Sequence, residues 1–373
     1  MFAATAALLP AVGPAAAAPA RDEEWQLPLL HAEQAWKHST GTGIEVAVLD
    51  SGVDATHPDL KGKVKPGIDL VDGSTDGRKD LVGHGTSVAD LIAGRRGGDG
   101  VAGLAYDATI LPVRVLDANN RYNDAATIAS GVRWAVDHDA RVINLSLGGA
   151  SDSPPLADAL HYAFEHDVVV VACAGNVADH AGQGVWFPAR EPGVVAVSGL
   201  NSDGRFWSGS VSGPQVALSA PANGLTGARP GGYWHVQGTS FAAPLVSATA
   251  ALIRAEWPTM SAANVVNRLV STAHDLGPRG RDPEYGFGMV DPVRALTAGV
   301  PAVGRNPLDD DARNSGAPAG GAGAAPTSTA ISGEPEADNG DGQTRTAVLV
   351  GFGAVMMVAV ATFLGLALRR GRT

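Results

Sequence analysis

The chain has 373 residues, a net charge of −11, 45% hydrophobic residues and 17% charged ones. This length suits one large domain or two ordinary ones, and the apolar share supplies a substantial core. No Lys/Arg cluster marks the globular part, which argues against nucleic acid as a partner. The one cysteine, Cys173, excludes an internal disulfide.

The first stretch, "MFAATAALLPAVGPAAAAPA" (1–20), is apolar, then rich in small residues, and ends in Ala-Pro-Ala before Arg21. It reads as the apolar region and cleavage site of a secretory signal, although no Lys or Arg precedes Arg21. A short lead-in, 21–42, follows. From Gly43 onward, apolar runs of β type alternate with helical patterns. "IEVAVLD" (44–50), "TILPVRVLD" (109–117), "ARVINLSL" (140–147), "DVVVVACAG" (167–175) and "GVVAVSGL" (193–200) read as buried strands. "GTSVADLIAG", "DAATIASGVRWAVDHD" and "SPPLADALHYAFEHD" read as helices. Continuous apolar strands alternating with helices predict an α/β fold, a mostly parallel sheet covered on both faces. Ligands of such sheets bind beyond the carboxyl ends of the strands.

"VQGTSFAAPLVSATAAL" (236–252) begins as a turn and continues as a helix that is apolar all round, which belongs in a core. Pro244 places Ser240 in the first turn, because proline is tolerated only near a helix start.

From 301 to 345 almost no large apolar residue remains, and the segment reads as a flexible stalk. As a random coil it would span roughly 35–40 Å. Then "TAVLVGFGAVMMVAVATFLGLAL" (346–368) carries no charge. Its helix would reach about 34 Å, enough to cross the hydrocarbon of a bilayer. Arg369, Arg370 and Arg372 follow it, while only Arg345 lies close on the other side. The bias of positive charge predicts a single span, with 369–373 in the cytoplasm and the rest outside.

Four residues sit where a parallel sheet would gather chemistry. Asp50 ends the first strand, and Asp54 and Asp59 compete with it from the loop beyond. His84 lies in "GHGTSVADLIAG" at the start of a helix; His57, in His-Pro-Asp, reads better as turn structure. Asn176 closes "VVVVACAGN" and could donate to an oxyanion, or form a turn. Ser240 is a nucleophile or a helix cap. Cys173 reads as a small buried filler. The order Asp, His, Ser is that of the subtilisin type, and differs from the chymotrypsin and α/β-hydrolase orders. Gly238-Thr239-Ser240-Phe241-Ala242 also lacks the second glycine of Gly-x-Ser-x-Gly, which disfavours an esterase or lipase.

On these segments the sequence resembles the subtilisin-like serine peptidases over about residues 24–298. The matching segments are "VAVLDSGVDATHPDL", "GHGTSVADLIAG", "VVACAGN", "QGTSFAAPLVS" and "EYGFGMVD" (284–291). Two positions depart from the usual pattern: Ser87 stands where histidine is frequent, and Ala243 where serine is frequent.

The resemblance implies a subtilisin-like three-layer catalytic domain over 43–300. It also implies that Asp50 orients His84, that His84 is general base and then acid, and that Ser240 attacks the scissile carbonyl. Asn176, with the Ser240 amide, would hold the oxyanion. Peptide substrate would add as a strand along Leu145, Ser146, Leu147, Gly148 and Gly149, and beside the stretch around Gly103. Ala174 and Gly175 would form one wall of the primary pocket.

Calcium is common in this family. The loop "RRGGDG" (95–100) offers one carboxylate and two arginines, so no metal site is assigned. The lead-in, stalk and terminal span resemble the mycosins, the membrane-anchored subtilases of type VII secretion. Mycosins often carry disulfides, from which the single cysteine departs. That likeness implies secretion-machinery partners and membrane lipid around 346–368. It also leaves a second role open, a scaffold subunit in which catalysis is dispensable.

Overall fold

A computed structural model describes residues 20–122, 124–178 and 184–309. Outside them lie the expected signal segment except Ala20, most of the expected stalk, and the whole expected membrane span and tail. Among the described residues no helix is long and apolar enough to cross a membrane.

Seven strands form one sheet: β1 (Glu45–Asp50), β2 (Ile68–Asp69), β3 (Thr109–Arg114), β4 (Val142–Leu145), β5 (Val169–Cys173), β6 (Val195–Leu200) and β7 (Leu218–Pro221). Their order is β2-β3-β1-β4-β5-β6-β7, and every neighbouring pair is parallel. Successive side chains on a strand point to opposite faces, so each strand feeds two cores. Val46 and Val48 of β1 enter one apolar cluster, while Ala47 and Leu49 enter the other. In β5, Val169, Val171 and Cys173 go one way, and Val170 and Ala172 the other. Burial on both faces explains why these strands read as unbroken apolar runs.

Helices cover each face. α1 (Gln26–Leu29), α2 (Ala32–Ala35), α3 (His84–Ala93), α6 (Thr239–Glu256), α7 (Ala262–Ser271) and α8 (Pro292–Thr297) contribute to the first cluster; α4 (Ala125–Asp137) and α5 (Pro154–Glu165) contribute to the second. The α/β three-layer expectation is met. α6 is buried from Thr239 to Arg254 and packs across β4 to β7. A separate antiparallel hairpin, β8 (Asn223–Arg229) with β9 (Gly232–Gln237), leads the chain into α6.

The lead-in is part of the domain. Leu30, Ala32 and Ala35 are buried in the first core. The Trp25 indole donates to the Gly224 carbonyl (2.8 Å), the Trp36 indole to Leu104 (2.8 Å), and the Ser39 hydroxyl to Leu252 (2.8 Å). Leu252 lies twelve residues beyond Ser240 on α6, about 18 Å along the helix.

The domain also extends past the boundary expected at residue 300. Residues 301–309 lie along α7 and the approach to β6. Asn267 donates to the Pro301 carbonyl (2.9 Å), Val303 donates to Asn264 (2.8 Å), and Asn306 donates to Gly193 (2.8 Å). Leu308 is buried in the first core. One leucine and three asparagines are enough to anchor a stretch whose composition reads as a stalk.

Candidate active site

Asp50 is the last residue of β1 and His84 the first of α3, so the sheet's carboxyl edge and a helix start meet. His84 Nδ1 lies 2.7 Å from Asp50 Oδ1, and both side chains are buried. The same oxygen accepts the Ser51 amide at 2.7 Å. Among the described residues, His84 Nε2 and Asp50 Oδ2 have no hydrogen-bond partner. A carboxylate only accepts, so Nδ1 is the donor of the pair, and in the neutral ring the lone pair lies on Nε2.

Asp80 locks this corner. Its carboxylate accepts the Val82, Gly83 and Thr86 amides (2.9, 2.8 and 2.9 Å) and the Ser51 and Thr86 hydroxyls (2.9 and 2.7 Å). These bonds satisfy amides at the start of α3, and Ser51, the residue after Asp50, ties them to the end of β1. Gly83 caps the helix at φ 90°, a conformation that favours glycine. Sequence reasoning missed Asp80; its position four residues before His84 is the only signal.

Ser240 is the second residue of α6. Gly238 holds the cap position at φ 143°, and no side chain caps the helix. The cap role that the sequence left open for Ser240 is therefore not the one it takes. Its hydroxyl lies 3.9 Å from the Cys173 sulfur, and the ring of the next residue, Phe241, is tilted against His84 with centroids 5.2 Å apart. Burial pushes the Cys173 thiol up to about 12, so the sulfur stays protonated. Pro244 falls one turn later and has no N–H to offer the Ser240 carbonyl. The Ser146 hydroxyl donates to that carbonyl instead, at 2.6 Å.

Asn176 follows β5 and meets α6 from the other side. Its Oδ1 accepts the Thr239 amide (3.0 Å) and the Thr239 hydroxyl (3.1 Å), and the Gly175 amide donates to that hydroxyl (3.1 Å). An amide N–H can only donate, so the acceptor is the oxygen of Asn176, and its NH₂ group is turned the other way. Three sites separated in sequence thus converge on the first turn of α6: Asp50–His84 through Phe241, Cys173 through Ser240, and Asn176 through Thr239.

The competitors serve turns. Asp54 accepts the amide and hydroxyl of Thr56, and His57 lies edge-on to Tyr233, 3.3 Å from the Gly232 carbonyl.

Of the segment expected to line the substrate, Leu145 and Leu147 are buried in the second core, and Ser146 is committed to Ser240. Gly149 is a correction. Its amide and carbonyl both pair with Phe187 (2.9 Å each), so its one N–H is already used and cannot donate to a substrate strand. Ala174 is paired as well: it donates to Val197 and accepts from Trp186.

The stretch around Gly103 is a second correction. Gly103 donates to Gly94 just past the far end of α3, about 15 Å along that helix from His84. The segment after β3 leaves the sheet at the site instead, with the Val115 and Leu116 amides donating to the Asp50 carbonyl (2.8 and 3.1 Å).

The 95–100 loop does not fit calcium. Arg95 donates to the Lys61 carbonyl and Arg96 pairs with Glu33. Just beyond the loop, the Val101 and Ala102 amides donate to Asp59 and Glu24 (3.0 and 2.7 Å). Both carboxyl groups thus face backbone N–H donors. Among the described residues no group of three acidic, histidine or cysteine side chains is placed to hold a metal ion.

A family model described as the subtilase family matches residues 41–288. Minor extracellular protease Epr of Bacillus subtilis is 36% identical over 270 residues, covering 72% of this chain and 41% of that protein. Subtilisin E of the same organism is 38% identical over 253 residues, covering 67% of this chain and 65% of that protein. The chain thus spans less than two thirds of the length of these curated relatives.

Among solved structures, the MycP3 protease from the type VII (ESX-3) secretion system is similar, with a TM-score of 0.67 and 34% identity; the match covers 77% of this chain and 90% of that one. MycP1 from Mycobacterium smegmatis gives a TM-score of 0.66 and 30% identity, covering 78% and 88%. With five ordered motifs, a parallel seven-stranded sheet and these matches, the chain belongs to the subtilase family.

Proposed function

We propose that this protein is a serine endopeptidase that hydrolyses peptide bonds through an acyl-enzyme on Ser240. The observation that carries the reading is the 2.7 Å contact between Asp50 and His84 Nδ1, with Nε2 without a partner among the described residues and the imidazole tilted against Phe241, the residue that follows Ser240. Asp50 holds the ring and its tautomer. His84 Nε2 takes the Ser240 proton as oxygen attacks the carbonyl carbon, then delivers it to the leaving amine. The oxyanion that forms meets the Asn176 amide and the backbone N–H of Ser240, at the positive end of α6. Water then enters on the leaving-group side and bonds to the acyl carbon as His84 Nε2 takes its proton; the carbon–Oγ bond breaks as His84 returns that proton to Ser240 Oγ, which frees the new acid.

The likeness to MycP1 and MycP3 supports a role beside type VII secretion machinery, acting on secreted or membrane-proximal proteins. In this reading, residues 346–368 anchor the catalytic domain on the outer face of the membrane and 369–373 face the cytoplasm.

The test is labelling of the detergent-solubilised protein by a fluorophosphonate, wild type against Ser240→Ala. Labelling of the wild type alone supports an activated Ser240. No labelling of folded wild type removes the peptidase reading and leaves the scaffold role, which Ser240→Ala would preserve in complex assembly.

A further inference from the structure

Two backbone segments flank the first turn of α6: Leu147–Gly149 after β4, and Ala174–Asn176 after β5. If Ser240 attacks a carbonyl whose oxygen turns to Asn176, the side chain just before the scissile bond must enter between these segments. That space is taken. A strap, Val185–Phe187, crosses both: the Trp186 amide donates to the Ala174 carbonyl (3.0 Å), and Phe187 pairs with Gly149 in both directions (2.9 Å each).

The Trp186 side chain is 1% exposed, among the largest fully buried ones. It touches both walls. A Cβ on Gly148 would stand 2.7 Å from the Phe187 carbonyl oxygen and 3.3 Å from Trp186 Cβ and Cε3, and a Cβ on Gly175 would stand 2.4, 2.5 and 2.6 Å from Cδ2, Cε2 and Cγ of the indole. Gly175 also holds φ 108°. Gly175 could not carry a side chain without expelling the tryptophan, and Gly148 could not without displacing the Phe187 carbonyl and pressing on the indole, so the strap with its tryptophan accounts for both glycines.

We infer that Trp186 fills the primary specificity pocket of this enzyme and confines it to substrates with a small uncharged residue, glycine, alanine or serine, before the scissile bond. The inference rests on the peptidase reading above and adds the substrate class. An aromatic or long aliphatic side chain would need the volume that the indole occupies, in an interior that packs like a crystal. A charged one would be desolvated between apolar walls with no counter-charge among the described residues lining it.

The experiment uses two peptidyl diphenyl phosphonates that differ only in alanine or phenylalanine at the position bonded to phosphorus. They label without turnover. In the wild type the alanine probe should react at least about tenfold faster, the scale on which pockets discriminate by size. In Trp186→Ala the phenylalanine probe should gain about tenfold or more, with the alanine probe changed by less than about threefold. Trp186→Leu should fall between and serves if the alanine variant does not fold.

Equal or faster labelling of the wild type by the phenylalanine probe overturns the inference. So does an unchanged ratio in a folded Trp186 variant, or failure of the alanine probe on protein that a fluorophosphonate labels at Ser240. If the fluorophosphonate also fails on folded wild type, the peptidase reading falls first and takes this inference with it.

Discussion

The Ser146 hydroxyl donates to the Ser240 carbonyl at 2.6 Å, in the place that Pro244 leaves without a helical donor. The bond ends a buried chain: Ser247 donates to Asn144 Oδ1 (2.9 Å), Asn144 Nδ2 to Ser146 (2.9 Å), and Ser146 to Ser240. Ser146→Ala would strand two buried groups, the Ser240 carbonyl and Asn144 Nδ2. The expected loss of stability is about 1–3 kcal/mol, read from urea unfolding. Adding Pro244→Ala restores an N–H for the carbonyl, so the double variant should lose less than the two single changes added together. Strict additivity in that cycle would show that Ser146 and Pro244 do not share the carbonyl.

Asn176 makes a separate prediction. Thr239 holds its oxygen twice, which fixes the direction of its NH₂ group. Asn176→Ala should lower kcat by about a hundredfold to a thousandfold and leave KM within a few-fold, because the donor works chiefly in the transition state. Thr239→Val keeps the backbone bond and loses the hydroxyl, so its effect on kcat should be smaller. Steady-state kinetics on one alanine-containing peptide substrate measures both. A change confined to KM would mean that Asn176 only binds the substrate.

The strands, the buried α6 and the residues at its mouth were legible because each leaves a local pattern. An apolar run ended by Asp50, or glycines around His84, can be read from a window of ten residues. What escaped the sequence was settled by partners far along the chain. Asp80 looks like one acid among many until Ser51 and Thr86 fold against it. Gly149 looks like room for a substrate, but Phe187, thirty-eight residues later, occupies it. Trp186 reads as one more apolar residue in a loop, and only the fold packs it against Gly148 and Gly175. The stalk boundary was missed for the same reason: Leu308 is a lone leucine whose burial depends on the approach to β6.

Cys173 stands 3.9 Å from Ser240, and its thiol is pushed up to about 12 by burial. It should therefore be inert. Native protein at pH 8 should not react with iodoacetamide over hours, and should take up one equivalent when unfolded in urea. Cys173→Ala should retain fluorophosphonate labelling, and loss of that labelling with the fold intact would give sulfur a part in the chemistry.

Glu24 ties the lead-in to the domain and carries a pH dependence. Its Oε1 accepts the Ala102 amide at 2.7 Å, and among the described residues its buried Oε2 has no partner. Burial pushes its carboxyl up from 4.5 to about 8; the Asp59 charge adds to this, while the Ala102 bond and Arg21 oppose it. Below about pH 4.5 the group is protonated both folded and unfolded. Between there and about pH 8 the unfolded chain releases a proton that the folded one keeps, so stability falls as pH rises. Above about pH 8 both states are ionised and the loss levels off.

Glu24→Gln keeps an acceptor for Ala102 and removes the titration. Its stability relative to wild type should therefore improve steadily from pH 5 to 8 and stay constant from 8 to 9. The total gain is at most about 4–5 kcal/mol, and less wherever the lead-in relaxes to hydrate the charge. Thermal unfolding of both proteins across this range measures it. A gap that does not vary with pH would mean that Glu24 stays ionised in the folded protein.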